Sequence, residues 1–434
     1  MKIGIIGLGF VGLSLASVLG SKKYRIMGFD LDKDKSLNIK NGKAPFYEPR
    51  LEETMKLALK QGLSIEDNID VIVNDCKLIF ITVGTPQKSD GSIDLTMIKS
   101  VIGKISQLLK NTKNKPAIII KSTVVPNTTL KVLLPILNKS GRKLGKEFGL
   151  ITNPEFLRES MSIHDTENPH IIVLGGIKDK YMNMIKEFYQ KIHRNAPIII
   201  TNNQTAELIK YTNNSFLATK ISFINQISNI CQSILGANVE DVAKAIGLDP
   251  RIGPLFLNAG PGYGGSCLPK DVKAIINFSQ KIGIDPILLN AVETVNDYQL
   301  KNLVLTIKKA LGSMKGKKIT IFGLAFKPDT DDVRDSISIK LIKRLLENGV
   351  NITVHDPKAI ENAKKIFGGK ISYAHSIEGS LKNSECGVIV TPWKEYSMIS
   401  EKHLKNMKTR IIVDSRRILS NRKLKMRYYP IGIG

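Results

Sequence analysis

The sequence predicts an α/β protein, with a mostly parallel sheet flanked by helices at each end of the chain and an all-helical centre. Three observations carry this reading. Apolar runs of strand length alternate with helical stretches from the first residue, at Lys2–Ile6, Tyr24–Phe29, Leu78–Val83, Ala117–Ile120 and Ile171–Leu174, the pattern of βαβ units. From about Thr205 to Gly236 one long helical stretch runs without Pro or Gly. Helical stretches then continue to about Leu311, broken by the glycine-rich segment Gly260–Gly265. Lys317–Gly323 opens a second alternation, with a helix at Ser338–Glu347 and strands at Val350–His355, Gly387–Val390 and Ile411–Asp414. The expected divisions are 1–204, 205–311 and 312–434.

Composition narrows the function classes. The 434 residues correspond to two or three domains at roughly 150 residues each. With 42% hydrophobic and 24% charged residues, wholesale disorder is excluded. The four cysteines form no C-x-x-C pair and the six histidines no H-E-x-x-H motif, so neither a disulfide scaffold nor a metal site is expected. The net charge of +25 is spread along the chain without any nucleic-acid signature, which favours phosphate-bearing metabolites over nucleic acid. The uncharged run 3–20 has membrane-helix length, but glycines at 4, 7, 9 and 12 fit a strand, a turn and a buried helix. A cytoplasmic protein without membrane attachment is expected.

The turn Gly7-Leu8-Gly9-Phe10-Val11-Gly12 follows the first strand and precedes an apolar helix, the context a dinucleotide-binding fingerprint requires. Gly7 permits the tight turn, Gly9 a close approach of the pyrophosphate, and Gly12 close helix–strand packing. The N-terminus of the helix expected at Leu13–Leu19 offers N–H groups to the anion, with Phe10 and Val11 in the turn beside the cofactor. Asp30 ends the second strand eighteen residues after Gly12. A carboxylate there accepts ribose hydroxyls and repels a 2′-phosphate, so NAD is expected over NADP. By their alternation of strands and helices and their coarse likeness, both ends of the chain are read as Rossmann-like doubly wound domains. The second opening, Ile319–Lys327, lacks the three-glycine spacing. Lys327 and Arg334 suit phosphate or sugar contacts, and a solvated charged loop fits equally well.

The segment Pro261–Asp271 carries the strongest chemistry. Three glycines precede Cys267, and Pro269 suits the start of a helix, which puts Cys267 at a helix N-terminus. That dipole, with Lys270 nearby, favours the thiolate. Asp271 lies one turn further on, close enough to order a water. Cys76, Cys231 and Cys386 read as core. A nicotinamide cofactor with a nucleophilic cysteine suggests aldehyde-level chemistry through a thiohemiacetal and a thioester. Lys210 and Asn214, four residues apart on the long helix, can face one site.

These motifs, together with Lys121–Thr123, Asn153–Glu159, Glu207–Asn214 and Phe326–Ser336, resemble the UDP-glucose and GDP-mannose 6-dehydrogenases along nearly the whole chain. The resemblance implies oxidation of a sugar nucleotide's C6 alcohol to a carboxylate with two NAD. It makes Cys267 the nucleophile and gives Lys210 and Asn214 the C6 oxygen. Asp271, Thr123 and Glu155 would hold a water. Thr85, Thr123, Lys270 and Arg334 would join the glycine turn and Asp30 around the cofactor. Substrate contacts would come from Glu155, Phe156, Leu157, Arg158, Glu159, Lys210, Asn214, Phe256, Leu257, Tyr263, Gly264, Lys327 and Arg416. Departures from the family pattern are Gly84 where Pro is common, Arg50 where Gly is common, and a partial match at Asp414–Arg417.

Segments Arg251–Leu257 and Asn153–Glu159 are closer to the UDP-glucose branch, implying UDP-glucose as substrate. GDP-mannose is the alternative. A two-electron hydroxyacid dehydrogenase shares the first domain but does not need Cys267, and a non-catalytic dinucleotide sensor needs no cysteine chemistry at all. The long helix is apolar on more than one face, with Ile209, Phe216, Leu217, Ile221, Phe223, Ile224, Ile227, Ile230 and Leu235, which points to a homodimer. By resemblance, Arg251 reaches the partner's site.

Overall fold

Strands buried on both faces read as unbroken apolar runs, and that is how the first sheet forms. The computed structural model describes residues 1–434. It divides into two compact units, Met1–Asn213 and Asn214–Gly434. In the first unit the strands are β1 (Lys2–Ile6), β2 (Arg25–Phe29), β3 (Leu63–Ile65), β4 (Leu78–Ile81), β5 (Ala117–Ile120), β6 (Gly149–Thr152), β7 (Ile172–Gly175) and β8 (Ile198–Thr201). They lie in the order β3-β2-β1-β4-β5-β6-β7-β8, whose first half is the Rossmann arrangement. Alternate residues face two separate cores: Leu78, Phe80 and Ile119 one, Ile79, Ile81 and Ile118 the other. The β6–β7 pair is antiparallel, the others parallel. Its connection carries only the short helix Ser162–Glu167, and an antiparallel neighbour needs no long crossover.

The uncharged opening run is a core strand followed by a core helix. In helix Phe10–Ser21 every residue from Gly12 to Gly20 is buried, against helices Leu51–Gln61 and Ser162–Glu167. No helix of the protein is long and apolar enough to cross a membrane. Arg50 takes the left-handed backbone (φ 65°) that a glycine would adopt readily, and its guanidinium clasps Glu167 through two hydrogen bonds.

The second unit contains the helices Val239–Gly247, Leu268–Lys281 and Ile287–Leu311 and a six-stranded sheet. Its strands are β9 (Lys318–Phe322), β10 (Asn351–His355), β11 (Ser372–Tyr373), β12 (Cys386–Ile389), β13 (Ile411–Asp414) and β14 (Arg427–Pro430). They are all parallel, in the order β11-β10-β9-β12-β13-β14, so this sheet repeats the topology of the first six strands. The repetition reaches the turns. Gly7 N–H donates to Phe29 O and Gly323 N–H to His355 O, both glycines having φ near +90°. The protein thus has two Rossmann-like domains joined by a helical region.

The long helix, Asn203–Cys231, runs across the boundary between the units and stops short of the expected Gly236. The chain instead turns at Gly236, whose N–H donates to Gly434 O. Near the helix start, buried Glu207 accepts the Thr129 N–H at 2.7 Å. Burial pushes this carboxyl up to about 7, against the N–H donors that pull it down. Because the folded state holds that proton more tightly, stability from this group falls as pH rises from about 4.5 to about 7. Glu207→Gln keeps an acceptor for Thr129. It should match wild type near pH 4 and exceed it at pH 8, by up to roughly 3 kcal/mol in urea unfolding. An equal difference at both pH values would show that Glu207 does not titrate in this range.

Candidate active site

In the first unit, Gly7, Leu8 and Gly9 make the whole connection between β1 and the helix Phe10–Ser21. A Cβ on Gly12 would overlap Gly7 O, while nothing lies within 4 Å of a Cβ on Gly9. Open space therefore fronts the helix N-terminus, where the N–H groups of Phe10 and Val11 have no intrahelical acceptor. An anionic pyrophosphate fits there. Asp30 is fixed beside it: Oδ2 accepts the Leu8 N–H at 2.7 Å and Lys35 Nζ at 3.0 Å, and Oδ1 accepts the Asp32 N–H. A groove lined by Asp30, Lys33, Lys40, Glu66 and Asp67 continues from it. The turn, the open space and the acidic strand end together fit an NAD molecule. Lys35 partly offsets the repulsion expected of Asp30 toward a 2′-phosphate.

Thr85 Oγ1 donates to Thr123 O at 2.8 Å, and Ser122 Oγ to Val83 O at 2.7 Å, tying together the segments after β4 and β5. Beyond β6, Glu155 and Lys210 are both buried and form an ion pair at 3.0 Å. Glu155 also accepts the Leu157 N–H. Burial pushes this carboxyl up, but Lys210, the Leu157 N–H and Lys121 outweigh it and hold it below the ordinary range. Phe156 packs edge-on against His170, with Lys210 Nζ 5.4 Å from its ring. Arg158, expected to contact substrate, turns its guanidinium onto Asp165 through bonds of 2.9 and 2.6 Å, because this carboxylate lies within reach on the next helix. Glu159 is half-buried. Sequence reasoning assigns no role to Lys121, which is buried with its Nζ 3.2 Å from Asn153 Oδ1. The available signal was a polar residue directly after an all-apolar strand.

In the second unit, Cys267 is exposed at the N-cap of helix Leu268–Lys281. One turn on, buried Asp271 accepts from Asn214 Nδ2 at 2.6 Å and from Lys270 Nζ at 2.6 Å. Lys270, expected near the thiol, thus neutralises its neighbouring carboxylate. Cys76 and Cys386 are core residues whose thiols burial pushes up to about 12. The glycine-rich segment is clamped from two sides. Asn296 on helix Ile287–Leu311 accepts the Tyr263 N–H and donates to Tyr263 O, and the Tyr263 hydroxyl donates to Glu293. From the other side Asp335 O meets Gly264, and the Phe326 ring would stand 2.6 Å from a Cβ on Gly265.

Lys327 Nζ is 5.8 Å from the Phe326 ring, and Arg334 is paired with Asp332. Phe256 has φ 66° and Leu257 is buried. The guanidinium of Arg416 lies against Gly260, its Nε donating to Val390 O. The donors of Arg417 go to Glu240, Ile431 O and Ala259 O. Arg251 is paired with Asp249 and 87% exposed.

Three family models match the chain. The NAD binding domain of the UDP-glucose/GDP-mannose dehydrogenase family covers residues 1–193, the central domain 204–298 and the UDP binding domain 320–421. The UDP-glucose 6-dehydrogenase TuaD of Bacillus subtilis is 37% identical over 99% of this chain and 93% of its own. AglM of Haloferax volcanii, named likewise, is 37% identical over 98% of both chains. The solved UDP-glucose dehydrogenase of Pyrobaculum islandicum superposes with a TM-score of 0.93, at 32% identity over 100% of this chain and 98% of its own.

Asp30 anchors the glycine turn as well as facing the cofactor groove. Asp30→Ala should therefore raise KM for NAD at least about tenfold and narrow the preference over NADP. Comparing kcat/KM for the two cofactors checks this; an unchanged ratio would remove Asp30 from cofactor choice.

Proposed function

Because the chain belongs to the UDP-glucose/GDP-mannose dehydrogenase family, and so is an NAD-dependent oxidoreductase, we propose that it oxidises UDP-glucose to UDP-glucuronate. The observation that carries this reading is Cys267, exposed at a helix N-terminus one turn before the Asp271–Asn214 hydrogen bond. The names of relatives 37% identical over nearly the whole chain support UDP-glucose as the substrate.

NAD, when bound at Gly7–Gly12 and Asp30, supplies an acceptor for each of the two hydrides that leave C6. The chain's own groups do the rest. Lys210 Nζ and Asn214 Nδ2 donate to the C6 oxygen as negative charge builds on it. The Cys267 sulfur adds to the C6 carbonyl carbon of the aldehyde, giving a thiohemiacetal that holds the intermediate on the enzyme. Loss of the second hydride leaves a thioester. Water held by Asp271, Thr123 and Glu155 takes the proton of the C6 hydroxyl as each hydride leaves and passes it to solvent. Such a water then adds to the thioester carbonyl; the C–S bond breaks, the sulfur leaves as thiolate and the carboxylate is released. Glu155–Glu159, Phe256, Leu257, Tyr263, Gly264, Lys327 and Arg416 serve the sugar nucleotide, Arg158 through its backbone because its side chain is engaged. Lys270 and Arg334 border the cofactor. We take residues 1–204, 205–311 and 312–434 as the three domains of a cytoplasmic enzyme.

An assay of NADH formation with UDP-glucose and GDP-mannose tests the reading. Two NADH per UDP-glucose are expected; one per substrate would indicate a two-electron dehydrogenase. Cys267→Ala should form no UDP-glucuronate while retaining some alcohol–aldehyde interconversion, since hydride loss needs no sulfur. A normal yield of the acid from that variant would remove Cys267 from the mechanism.

Assembly follows from the long helix. Phe216, Phe223 and Ile230 are exposed on it and Leu235 just beyond it, a face suited to a two-fold partner. Arg251 in this reading serves the partner's substrate. Arg251→Ala and Cys267→Ala should each be nearly inactive. Co-folding them should restore roughly a quarter of wild-type activity, because about half the dimers are mixed and each has one intact site. No restoration, with mixed dimers present, would place Arg251 in its own subunit's site.

A further inference from the structure

Lys121 directly follows β5 and Asn153 directly follows β6, and Ile120 and Thr152 are register partners in that pair of strands. The two side chains meet at 3.2 Å. The Asn153 amide is locked, its Nδ2 donating to Val173 O and its Oδ1 accepting the Tyr189 hydroxyl as well as Lys121. A buried ammonium thus rests on a neutral amide. An apolar side chain at the end of an apolar strand would be less costly to bury, so packing alone does not account for a lysine here.

Its surroundings do. Lys121, Asn153, Glu155, Tyr189 and His193 line one cavity of the first unit. The field of Lys121 falls on Glu155 and on Lys210, and the direct partner of Glu155 is Lys210. If Lys210 serves the C6 oxygen, as proposed above, it must loosen its hold on Glu155 during the reaction. Glu155 would then be a buried carboxylate without its cation and would take up a proton.

We infer that Lys121 is a positioning residue, a reserve cation that keeps Glu155 ionised while Lys210 is engaged with the substrate. This rests on the site reading above, which gives Lys210 and Glu155 their roles. Burial and Lys210 push the Lys121 ammonium down to about 8, Glu155 opposing, so the reserve charge is present at neutral pH and lost in mild alkali. The other titratable groups on the cavity wall are His193, which burial pushes down to about 4 and so leaves uncharged; Asp165, already held by Arg158; and His170 and Tyr189.

The test is kcat and KM for UDP-glucose across pH 5.5–9.5 in Lys121→Met, Lys121→Arg and Glu155→Gln, each checked for folding by circular dichroism. Lys121→Met should lower kcat at least about tenfold with KM within about threefold, and move the acidic limb of kcat up by about one pH unit. Lys121→Arg should restore the acidic limb and extend activity to higher pH, because a guanidinium stays charged there. A low kcat with an unmoved acidic limb would make Lys121 merely structural and overturn the inference. Should Lys121→Met fail to fold, the alkaline limb of Lys121→Arg decides: an unextended limb overturns the inference. Glu155→Gln separates the two readings. If it keeps wild-type kcat and pH profile, the site reading itself fails; if it is impaired while the Lys121→Met limb is unmoved, only the role of Lys121 fails.

Discussion

A buried carboxylate needs a cation, and in this protein that need links a strand end to a helix. Glu155 follows β6 and Lys210 lies two turns into the helix Asn203–Cys231, so their 3.0 Å pair fixes how that helix meets the first sheet. One turn later the same helix presents Asn214 to Asp271. Within each unit the helix holds its side chain's direction more narrowly than a loop would. Breaking the pair from either side would strand a buried charge, which is more harmful than losing an exposed contact.

The two Rossmann-like sheets use one turn for different ends. In the first, Asp30 takes a single N–H from the glycine turn, leaving the helix N-terminus and the Gly9 opening for an anion. In the second, Asp356 is saturated: its oxygens accept from Leu324, Ala325, Lys358, Ala359 and the Trp393 ring nitrogen. The carboxylate beside the second turn thus accepts five hydrogen bonds where Asp30 accepts three. In the second unit the loop 326–336 and Arg416 lie instead against the glycine segment that precedes Cys267.

That segment illustrates how glycine controls approach. Because Gly264 and Gly265 carry no Cβ, the Asp335 carbonyl and the Phe326 ring can lie directly on the backbone. Cys267 is thus presented from a strap held on both sides, with its helix dipole directed at the thiol position.

Much of this was determined by the sequence alone. The unbroken apolar runs, the turn Gly7–Gly12 and the acidic residue ending β2 define the first domain by local geometry. Pro269 defines the helix start that exposes Cys267, because local backbone preferences suffice there. The spacing of Lys210 and Asn214 places them on one helical face for the same reason. What only the tertiary structure decided are pairings between segments distant in sequence: the antiparallel β7, the strand order of each sheet, and the choice of partners among charges. Arg158 and Lys270 went to neighbouring carboxylates and Arg417 to Glu240 and two backbone carbonyls, leaving Arg416 beside Gly260. Lys121 gained its setting from three elements at once. A side chain's charge is written in the sequence, but its partner is whichever opposite or polar group the fold brings within about 3 Å, and in a low-dielectric interior that proximity outweighs composition.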